Sequence, residues 1–416
     1  MEGVERKVLD NIDIEGMLEF IKDLVKTPSY GGKESDAQNL VGNKLEEFGF
    51  TIDKWDIDFD KIKEHPEFSM SFDRKEGVGL VGTLGEGKRS IILCGHVDTV
   101  APGEEEHWDS PPLELIIEDK RIFGRGVADM KGGLGCGLYA VKAIQDSGVK
   151  LNGKVIFASV IGEEDGGCGA LATCLRGYSA DAGIIMEPSE VKIAPDVAGA
   201  MSWRMTVEGR ATHACVREEG VSAIDKFLLI YDSLKELERI RNKVISNELY
   251  SRYSTPFALN VGTIMGGDWP GTVAGKVTIE GRLGVSIGET QEEARKEMEK
   301  HVKKASEKDP WLREHPPKIE WVGYSFAPSS VPVDHQIVKT LEASFRKARG
   351  KEPTLEGMTY ASDARLLVNV GKTPTVVFGP GDVRNAHGAN EYVNIDELVA
   401  VTQTLALTIL NFLGYE

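Results

Sequence analysis

Two patterns of apolar and polar residues divide the chain into three stretches. In residues 1–197 and again in residues 326–416, helical spacing alternates with short continuous apolar runs, such as residues 155–160. Continuous apolar runs predict strands that are buried on both faces of a sheet, and the interleaved helices predict cover for both faces. In residues 198–325, apolar and polar residues alternate instead, which predicts antiparallel strands with one covered face. The pattern therefore predicts an α/β domain in two pieces, with a second domain inserted between them.

Several elements of the first domain have predicted ends. Apolar residues at helical spacing predict a helix over residues 14–26, whereas the charged and poorly periodic residues 56–76 predict a surface loop. Asp334 is placed to cap a later helix. Asn394 and Glu397 have the spacing of a capping box at the start of the final helix.

The inserted domain has the predicted order β-α-β-β-α-β. Residues 201–208 alternate as a half-buried strand, and the last strand covers residues 318–324. This order is that of a ferredoxin-like α+β unit. The apolar face of its first helix is predicted to consist of Ile224, Phe227, Leu228, Tyr231, Leu234 and Leu237.

Charge and cysteine usage narrow the class of protein. The chain has 416 residues and a formal net charge of -17. This argues against nucleic acids and anionic membrane surfaces as partners, since both need clustered Lys and Arg. We expect no stretch apolar enough to span a bilayer, and the charged start lacks the apolar region of a signal peptide. Five cysteines without CxxC spacing indicate reduced thiols, so we expect a cytoplasmic protein.

Histidine and acidic residues follow the apolar strands of the first domain. The run at residues 91–95 ends at His96, and Asp98 lies two positions later, where an extended chain points both side chains to one side. Alone, His96 is as readily a core residue as a metal ligand. Other positions after strands or glycine-rich turns are Asp129, Glu163, Glu164, Glu187 and His387. Because strand ends of one sheet converge, we expect these side chains to form one site.

Imidazole and carboxylate groups suit a pair of divalent metal ions, zinc first. Two such ions need a shared carboxylate, and Asp129 is the candidate because its short side chain lies on a glycine-flanked loop. If Glu163 and Glu164 are extended, their side chains point to opposite sides, so one binds a metal while the other reaches a water.

Taken singly, each of these residues also has an ordinary structural explanation. A Glu-Glu pair is usually a solvated surface pair. Asp129 after its glycines is a residue type that commonly forms a turn, and Glu187 before a proline simply ends a strand. Their joint position after consecutive buried strands favours the metal site.

Five segments carry a resemblance to a known family. They are residues 95–100, 124–133, 163–167, 187–189 and 387–391. Together they resemble the M20 metallopeptidase family, and within it the acetylornithine deacetylase and succinyl-diaminopimelate desuccinylase branch. The resemblance extends over nearly the whole chain. It implies a zinc-peptidase-like three-layer αβα catalytic domain with an inserted ferredoxin-like lid and dimerisation domain.

The resemblance also implies roles for the residues of the first domain. One zinc ion would be bound by His96, Asp129 and Glu187, and a second by Asp129, Glu164 and His387. Glu163 would be the general base, and Asp98 would orient His96.

In the inserted domain, residues 209–214 match the family's GxxxHA segment. The match implies that His213 reaches the active site of a partner subunit in a homodimer and stabilises the oxyanion. Arg282 would hold a substrate carboxylate, and Asn260 would contact the substrate. Residues 357–364 resemble the family's glycine-rich substrate loop but depart from it at residues 360–361, which leaves substrate specificity open.

These observations predict a di-metal amidohydrolase. We expect it to remove an N-acyl group from a small amino-acid-like carboxylate substrate, with zinc, cobalt or manganese as the two divalent ions. The alternatives are a dipeptidase or carboxypeptidase of the same family that takes short peptides, or a non-catalytic binding relative. The last is disfavoured because every metal and base position is filled.

Overall fold

The computed structural model describes residues 3–243 and 247–416. Within these residues the chain divides into two compact units. The first unit contains the residues up to Val197 together with Ser329–Met358 and Ser362–Glu416, and the second contains Ala198–Pro328 and Thr359–Ala361. The second unit thus continues past residue 325, because its last strand runs on to Phe326.

The described residues form helices and strands in alternation. The helices are α1 Val4–Asp10, α2 Ile14–Lys26, α3 Ser35–Glu47, α4 Phe59–Ile62, α5 Gly132–Asp146, α6 Cys168–Leu175, α7 Ala223–Lys243, α8 Gln291–Ser306, α9 Pro310–Glu314, α10 Gln336–Arg349, α11 Ala364–Asn369 and α12 Ile395–Leu413. The strands are β1 Thr51–Asp56, β2 Val78–Leu84, β3 Arg89–His96, β4 Ile116–Glu118, β5 Arg121–Phe123, β6 Gly153–Val160, β7 Ala182–Ile185, β8 Asp196–Val197, β9 Gly199–Glu208, β10 Leu259–Gly266, β11 Lys276–Val285, β12 Lys318–Phe326, β13 Ser329–Ser330, β14 Thr375–Val377 and β15 Tyr392–Asn394.

The first unit is built around a mixed sheet with the order β1-β2-β6-β3-β7-β14 in the described part of the chain. Strands β6, β3, β7 and β14 are parallel, whereas β1 and β2 run antiparallel to their neighbours. The apolar residues 91–94 of β3 are fully buried, as their continuous run predicts. Helices α5 and α12 pack together against β3, and α6 and α11 pack together on the other face. The predicted three-layer αβα architecture is confirmed, and it directs the ends of β3, β6 and β7 to one edge.

The second unit is an antiparallel sheet with the order β10-β11-β9-β12, with α7 and α8 packed on it. The predicted ferredoxin-like order is therefore confirmed. Trp203 on β9 is fully buried, between residues of the helices and of β11. The buried face of α7 differs from the prediction: Phe227, Leu234 and Leu237 are buried, but Ile224 and Leu228 are about half exposed.

Three local predictions are wrong. Residues 56–76 include the short helix α4 and the buried Arg74, because an ion-pair partner inside the unit draws this segment inward. His335, not Asp334, caps α10, since its Nδ1 accepts the backbone N–H of Ile337. The capping box at α12 does not form, because Glu397 accepts a hydrogen bond from the backbone N–H of Gly381 instead.

Helix α12 has the length and apolar composition of a membrane-spanning helix, so the expectation that no stretch has this character is wrong. In the structure 67% of that stretch is buried, and the helix packs against α5 and α10. A helix that is apolar on all sides needs an apolar environment on all sides, and the interior of the first unit provides it.

Replacing Gly281 of β11 with alanine tests the packing of the second unit. A Cβ atom there would lie 2.2 Å from the carbonyl oxygen of Asn260 and 2.3 Å from the ring of Trp203. We expect Gly281→Ala to lower the free energy of unfolding by about 1–3 kcal/mol, measured by urea denaturation. Gly262→Ala on β10 is the control, because its Cβ would meet nothing closer than 3.8 Å, and we expect a change within about 0.5 kcal/mol. Equal effects of the two substitutions would contradict this account.

Candidate metal centre

His96 ends the central strand β3 with its ring oriented by the backbone. Its Nδ1 lies 2.9 Å from the carbonyl oxygen of Asp98. A carbonyl oxygen only accepts, so Nδ1 carries the hydrogen, and in the neutral ring the lone pair is on Nε2. The side chain is 1% exposed. The structure thus presents Nε2 of His96 as a preset ligand atom at the sheet edge.

Asp129 lies on the tight turn Val127–Lys131 between β5 and α5, and the peptide bond that follows it is cis. Its Oδ1 lies 3.1 Å from Nε2 of His96, and its Oδ2 lies 3.4 Å from Nε2 of His387. The two oxygens of one carboxylate therefore face two different histidines. This is the arrangement that a carboxylate shared by two metal ions requires.

Each histidine also faces a second carboxylate. Glu187, directly after β7, has Oε1 3.4 Å from Nε2 of His96. Glu164, after β6, has Oε2 3.0 Å from Nε2 of His387. The structure therefore forms two clusters of one imidazole and two carboxylates, with Asp129 common to both.

The donor spacing fits a metal ion. Ligands about 2.0–2.1 Å from a tetrahedral zinc ion lie about 3.3 Å from each other, and the four imidazole–carboxylate distances are 3.0–3.4 Å. Ligand atoms of His96, Asp129 and Glu164 also lie within 4.8 Å of one another, as do those of His96, Glu163 and Glu187. The nitrogen and oxygen donors present are those that zinc takes, and cobalt or manganese also accept them.

Glu163 and Glu164 lie on a turn rather than on an extended segment, which differs from the expected geometry. The amide N–H of Gly166 donates to the carbonyl oxygen of Glu163, which closes the turn. Gly166 has a φ of 147°, and a Cβ atom there would lie 2.0 Å from the carbonyl oxygen of Ser69, so only glycine fits. The side chains still diverge: Glu164 approaches His387, and Glu163 approaches His96 and Glu187.

Asp98 contacts the site in two ways. Its carboxylate Oδ1 lies 3.6 Å from Nδ1 of His96, farther than its own carbonyl oxygen. Its Oδ2 accepts a hydrogen bond from the backbone N–H of Glu164 at 3.1 Å. Asp98 therefore connects the end of β3 to the turn that follows β6.

The buried acids and histidines shift each other's pKa values. Hydrogen bonds with Asp129 and Glu164 raise the pKa of His387 to about 10. Burial lowers the pKa of His96, but the carboxylates of Glu187 and Asp98 outweigh burial and raise it well above its ordinary value. Burial, reinforced by Asp129, raises the pKa of Glu187 to about 8. Burial also raises the pKa of Glu163 well above its ordinary range, and the nearby Glu187 adds to this.

The other three candidate residues belong to the second unit. His213 is exposed, and its Nδ1 accepts the backbone N–H of Cys215 at 3.2 Å, so the hydrogen of the neutral ring lies on Nε2. Asn260 and Arg282 are opposite each other in the register of β10 and β11. Arg282 donates to the carbonyl oxygen of Thr359 at 3.1 Å, a residue of the same unit.

Sequence reasoning missed the buried groups that hold the turn at residues 162–167. Arg74 donates to Glu34 at 2.7 Å and to Asp165 at 2.9 Å, and the side chains of both Arg74 and Glu34 are 2% exposed. Arg365 donates to the carbonyl oxygen of Gly166 at 2.8 Å. Local sequence carries no signal for these contacts, because the partners are 40 to 199 residues apart.

Comparison with known proteins places the chain in a family. The profile of peptidase family M20/M25/M40 matches residues 92–411. A deformylase of N-formyl-4-amino-5-aminomethyl-2-methylpyrimidine from Halalkalibacterium halodurans is 33% identical over 94% of this chain and 93% of its own length. An acetylornithine deacetylase from Proteus mirabilis is 26% identical over 97% of this chain and 98% of its own length.

Similarity to solved structures covers the whole fold. A tripeptidase from Staphylococcus aureus superposes with a TM-score of 0.76 at 21% sequence identity, over 96% of this chain and 99% of that one. The shared fold, the length of the sequence match and the donor clusters at the strand ends agree with one another. The chain therefore belongs to peptidase family M20/M25/M40 and is a metallohydrolase that acts on amide bonds.

Proposed function

We propose that the chain removes a formyl or acetyl group, or another small acyl group, from the nitrogen of a small amine. The observation that carries this proposal is the shared carboxylate of Asp129, which faces His96 on one side and His387 on the other. The full-length sequence similarity to a deformylase and to acetylornithine deacetylases supports an acyl amide as the bond that is cleaved.

Two divalent cations would be held at this site, one by His96, Asp129 and Glu187 and the other by Asp129, Glu164 and His387. When bound, they would polarise the amide carbonyl and make the attacking water more acidic. Zinc is the first choice for these donors, with cobalt or manganese as alternatives.

Glu163 is the proposed general base. It is 8% exposed and has a carboxylate oxygen within 4.8 Å of the ligand atoms of His96 and Glu187. Burial and the nearby carboxylate of Glu187 raise the pKa of Glu163, and bound cations would offset that neighbouring charge and favour the ionised form that accepts a proton. Glu163 takes a proton from the water that attacks the carbonyl carbon, and it returns that proton to the amine nitrogen as the C–N bond breaks.

The identity of the amine is the finer part of the proposal. The family resemblance implies a carboxylate held by Arg282, whose guanidinium donates to the carbonyl oxygen of Thr359 in this structure. The deformylase at 33% identity is named for an N-formyl aminomethylpyrimidine, whereas the deacetylase at 26% identity is named for acetylornithine. We therefore propose a neutral N-formyl or N-acetyl amine ahead of an N-acyl amino acid, and a short peptide last.

We also propose that the chain acts as a homodimer that associates through its second unit. Ile264 and Met265 on the edge strand β10 are 57% and 61% exposed, and Trp269 in the following loop is 71% exposed. Leu228 and Leu229 on α7 are about half exposed. Large apolar side chains exposed on a sheet edge and on a helix of the same unit support a protein partner there. In such a dimer, His213 would donate from Nε2 to the oxyanion of its partner's substrate.

Replacing Glu163 with glutamine tests the proposed base. We expect Glu163→Gln to lower kcat on the order of 10³-fold while the bound metal content stays the same, because only the proton acceptor is lost. The assay compares an N-formyl aminomethylpyrimidine, N-acetylornithine and dipeptides with added zinc, and metal content is measured by atomic emission. Glu342→Gln is the control, since Glu342 is also buried but lies on α10. Full activity of Glu163→Gln would refute this role.

Proton release on metal binding tests the proposed ligands. In the metal-free protein His387 has a pKa of about 10 and therefore holds a proton at neutral pH. A metal ion must displace that proton, so the apparent affinity should rise with pH, roughly tenfold per pH unit for each proton released. Calorimetric titration with zinc at pH 6.5 to 8 in buffers of different ionisation enthalpy measures the number released. His387→Asn should release fewer protons, and equal release by both proteins would exclude His387 as a ligand.

Mixing two inactive variants tests the role of His213 across a dimer. In a mixed dimer of Glu163→Gln and His213→Ala, one site receives an intact Glu163 and an intact His213 from the two chains. Random exchange makes half of the dimers mixed with one working site each, so we expect about a quarter of the unaltered activity. The assay is made before and after subunit exchange. If the mixture stays as inactive as its components, His213 does not act across subunits.

A further inference from the structure

We propose that the buried ion pair of Arg125 and Glu391 is the positioning device that sets the distance between Asp129 and His387. This inference rests on the proposed metal centre, and it assigns a role to two residues that do not themselves contact the metal. The carboxylate of Glu391 is shared between two loops that are about 260 residues apart in the chain.

Glu391 holds the Asp129 turn by its backbone. Its Oε1 accepts the N–H of Ala128 at 2.9 Å and the N–H of Asp129 itself at 3.2 Å. Its Oε2 accepts the N–H of Gly126 at 3.0 Å. The side chain is 1% exposed, so these bonds are shielded from solvent. The position of Asp129 therefore depends on a residue four positions after His387.

Arg125 joins the same carboxylate to the His387 loop. Nη1 of its guanidinium donates to Oε2 of Glu391 at 2.7 Å. Nη2 lies 3.4 Å from the carbonyl oxygens of His387 and Pro102. The guanidinium is stacked 5.0 Å from the ring centroid of Trp108, and its side chain is 2% exposed. The ion pair thus contacts both the turn that carries Asp129, the proposed bridging ligand, and the backbone of His387, another proposed ligand.

The backbone of His387 needs such support. Its φ is 62°, in the left-handed region that costs a non-glycine residue on the order of 1 kcal/mol. Its ring is half exposed, so its own side chain is not held by packing. The loop is fixed instead at Glu391, whose carbonyl oxygen also accepts the N–H of Gly124 at 3.1 Å. The ion pair and this bond together keep His387 opposite Oδ2 of Asp129.

Glutamine at position 391 would break this arrangement without changing its size. An amide has one acceptor oxygen, whereas both oxygens of Glu391 accept from donors. In either orientation, the amide NH₂ would face an N–H group of the Asp129 turn or the guanidinium of Arg125. Changes to groups that orient metal ligands commonly lower metal affinity 10–100-fold. The loss of metal affinity should be larger for the site that contains His387. Both the Asp129 turn and the His387 loop of that site are held by the ion pair of Arg125 and Glu391.

The test is a titration of metal-free protein with Co²⁺, followed by visible absorption and by calorimetry. The variants are Glu391→Gln and the milder Arg125→Lys. The control is Glu289→Gln in the second unit, where Glu289 also pairs with a buried arginine, Arg241, and also accepts a backbone N–H. Thermal unfolding of each metal-free variant records the structural cost separately from the metal affinity.

We expect Glu391→Gln to keep the tighter Co²⁺ site and to weaken the second at least 10-fold, with a smaller effect in Arg125→Lys. Glu289→Gln should retain both affinities even where its melting temperature falls as far. Unchanged binding of two ions by Glu391→Gln would overturn the positioning role of the ion pair but leave the proposed metal centre standing. Binding of fewer than two ions by the unaltered chain would overturn the proposed centre, and this inference with it.

Discussion

The carboxylate of Asp129 between two histidines is the contact on which the rest of the site depends. Around it lie the buried acids Asp98, Glu163 and Glu187 and the partly buried Glu164, together with two imidazole groups. Burial and like charge raise the pKa values of Glu163 and Glu187, and like charges repel in a medium of low dielectric constant. They come from three places in the sheet: Asp98 follows β3, Glu163 and Glu164 share the turn after β6, and Glu187 follows β7. Such a concentration of buried negative charge is stable only with cations near it, and metal ions supply more positive charge than two protonated histidines.

The supporting groups are buried arginines placed just behind these acids. Arg74 pairs with Asp165 next to Glu164, Arg125 pairs with Glu391 below Asp129, and Arg365 holds the carbonyl oxygen of Gly166. Breaking a buried ion pair by removing one partner costs about 3–5 kcal/mol, because the remaining charge has no solvent. The guanidinium groups therefore restrain the loops of the site. A loop that merely follows a strand would lack this restraint. The loops that carry the candidate ligands are thus held by residues that are not themselves candidate ligands.

The sequence was sufficient to predict the elements that are set by local patterning. Continuous apolar runs predicted β3 and β6, alternation predicted β9, and the order of elements predicted both architectures. The candidate ligands were predictable because they follow strands, whose ends a parallel sheet brings together. Two of the failures share a physical cause, which is tertiary competition for a polar group. Glu397 accepts a hydrogen bond from Gly381 rather than capping α12. Arg74 is buried because it forms ion pairs with Glu34 and Asp165 in the interior.

The split of the first unit into separate stretches has a consequence for how the molecule is made. Strand β14, His387 and helix α12 all lie after the second unit in the chain. As a ribosome releases the chain from its N-terminus, β9 to β12 emerge as a nearly complete sheet while the larger core still lacks a central helix. The second unit is thus free to fold first. The first unit keeps apolar surface exposed until α12 has been synthesised. His387 also lies after the second unit, so the candidate ligands come together only once this later stretch of the chain has been made.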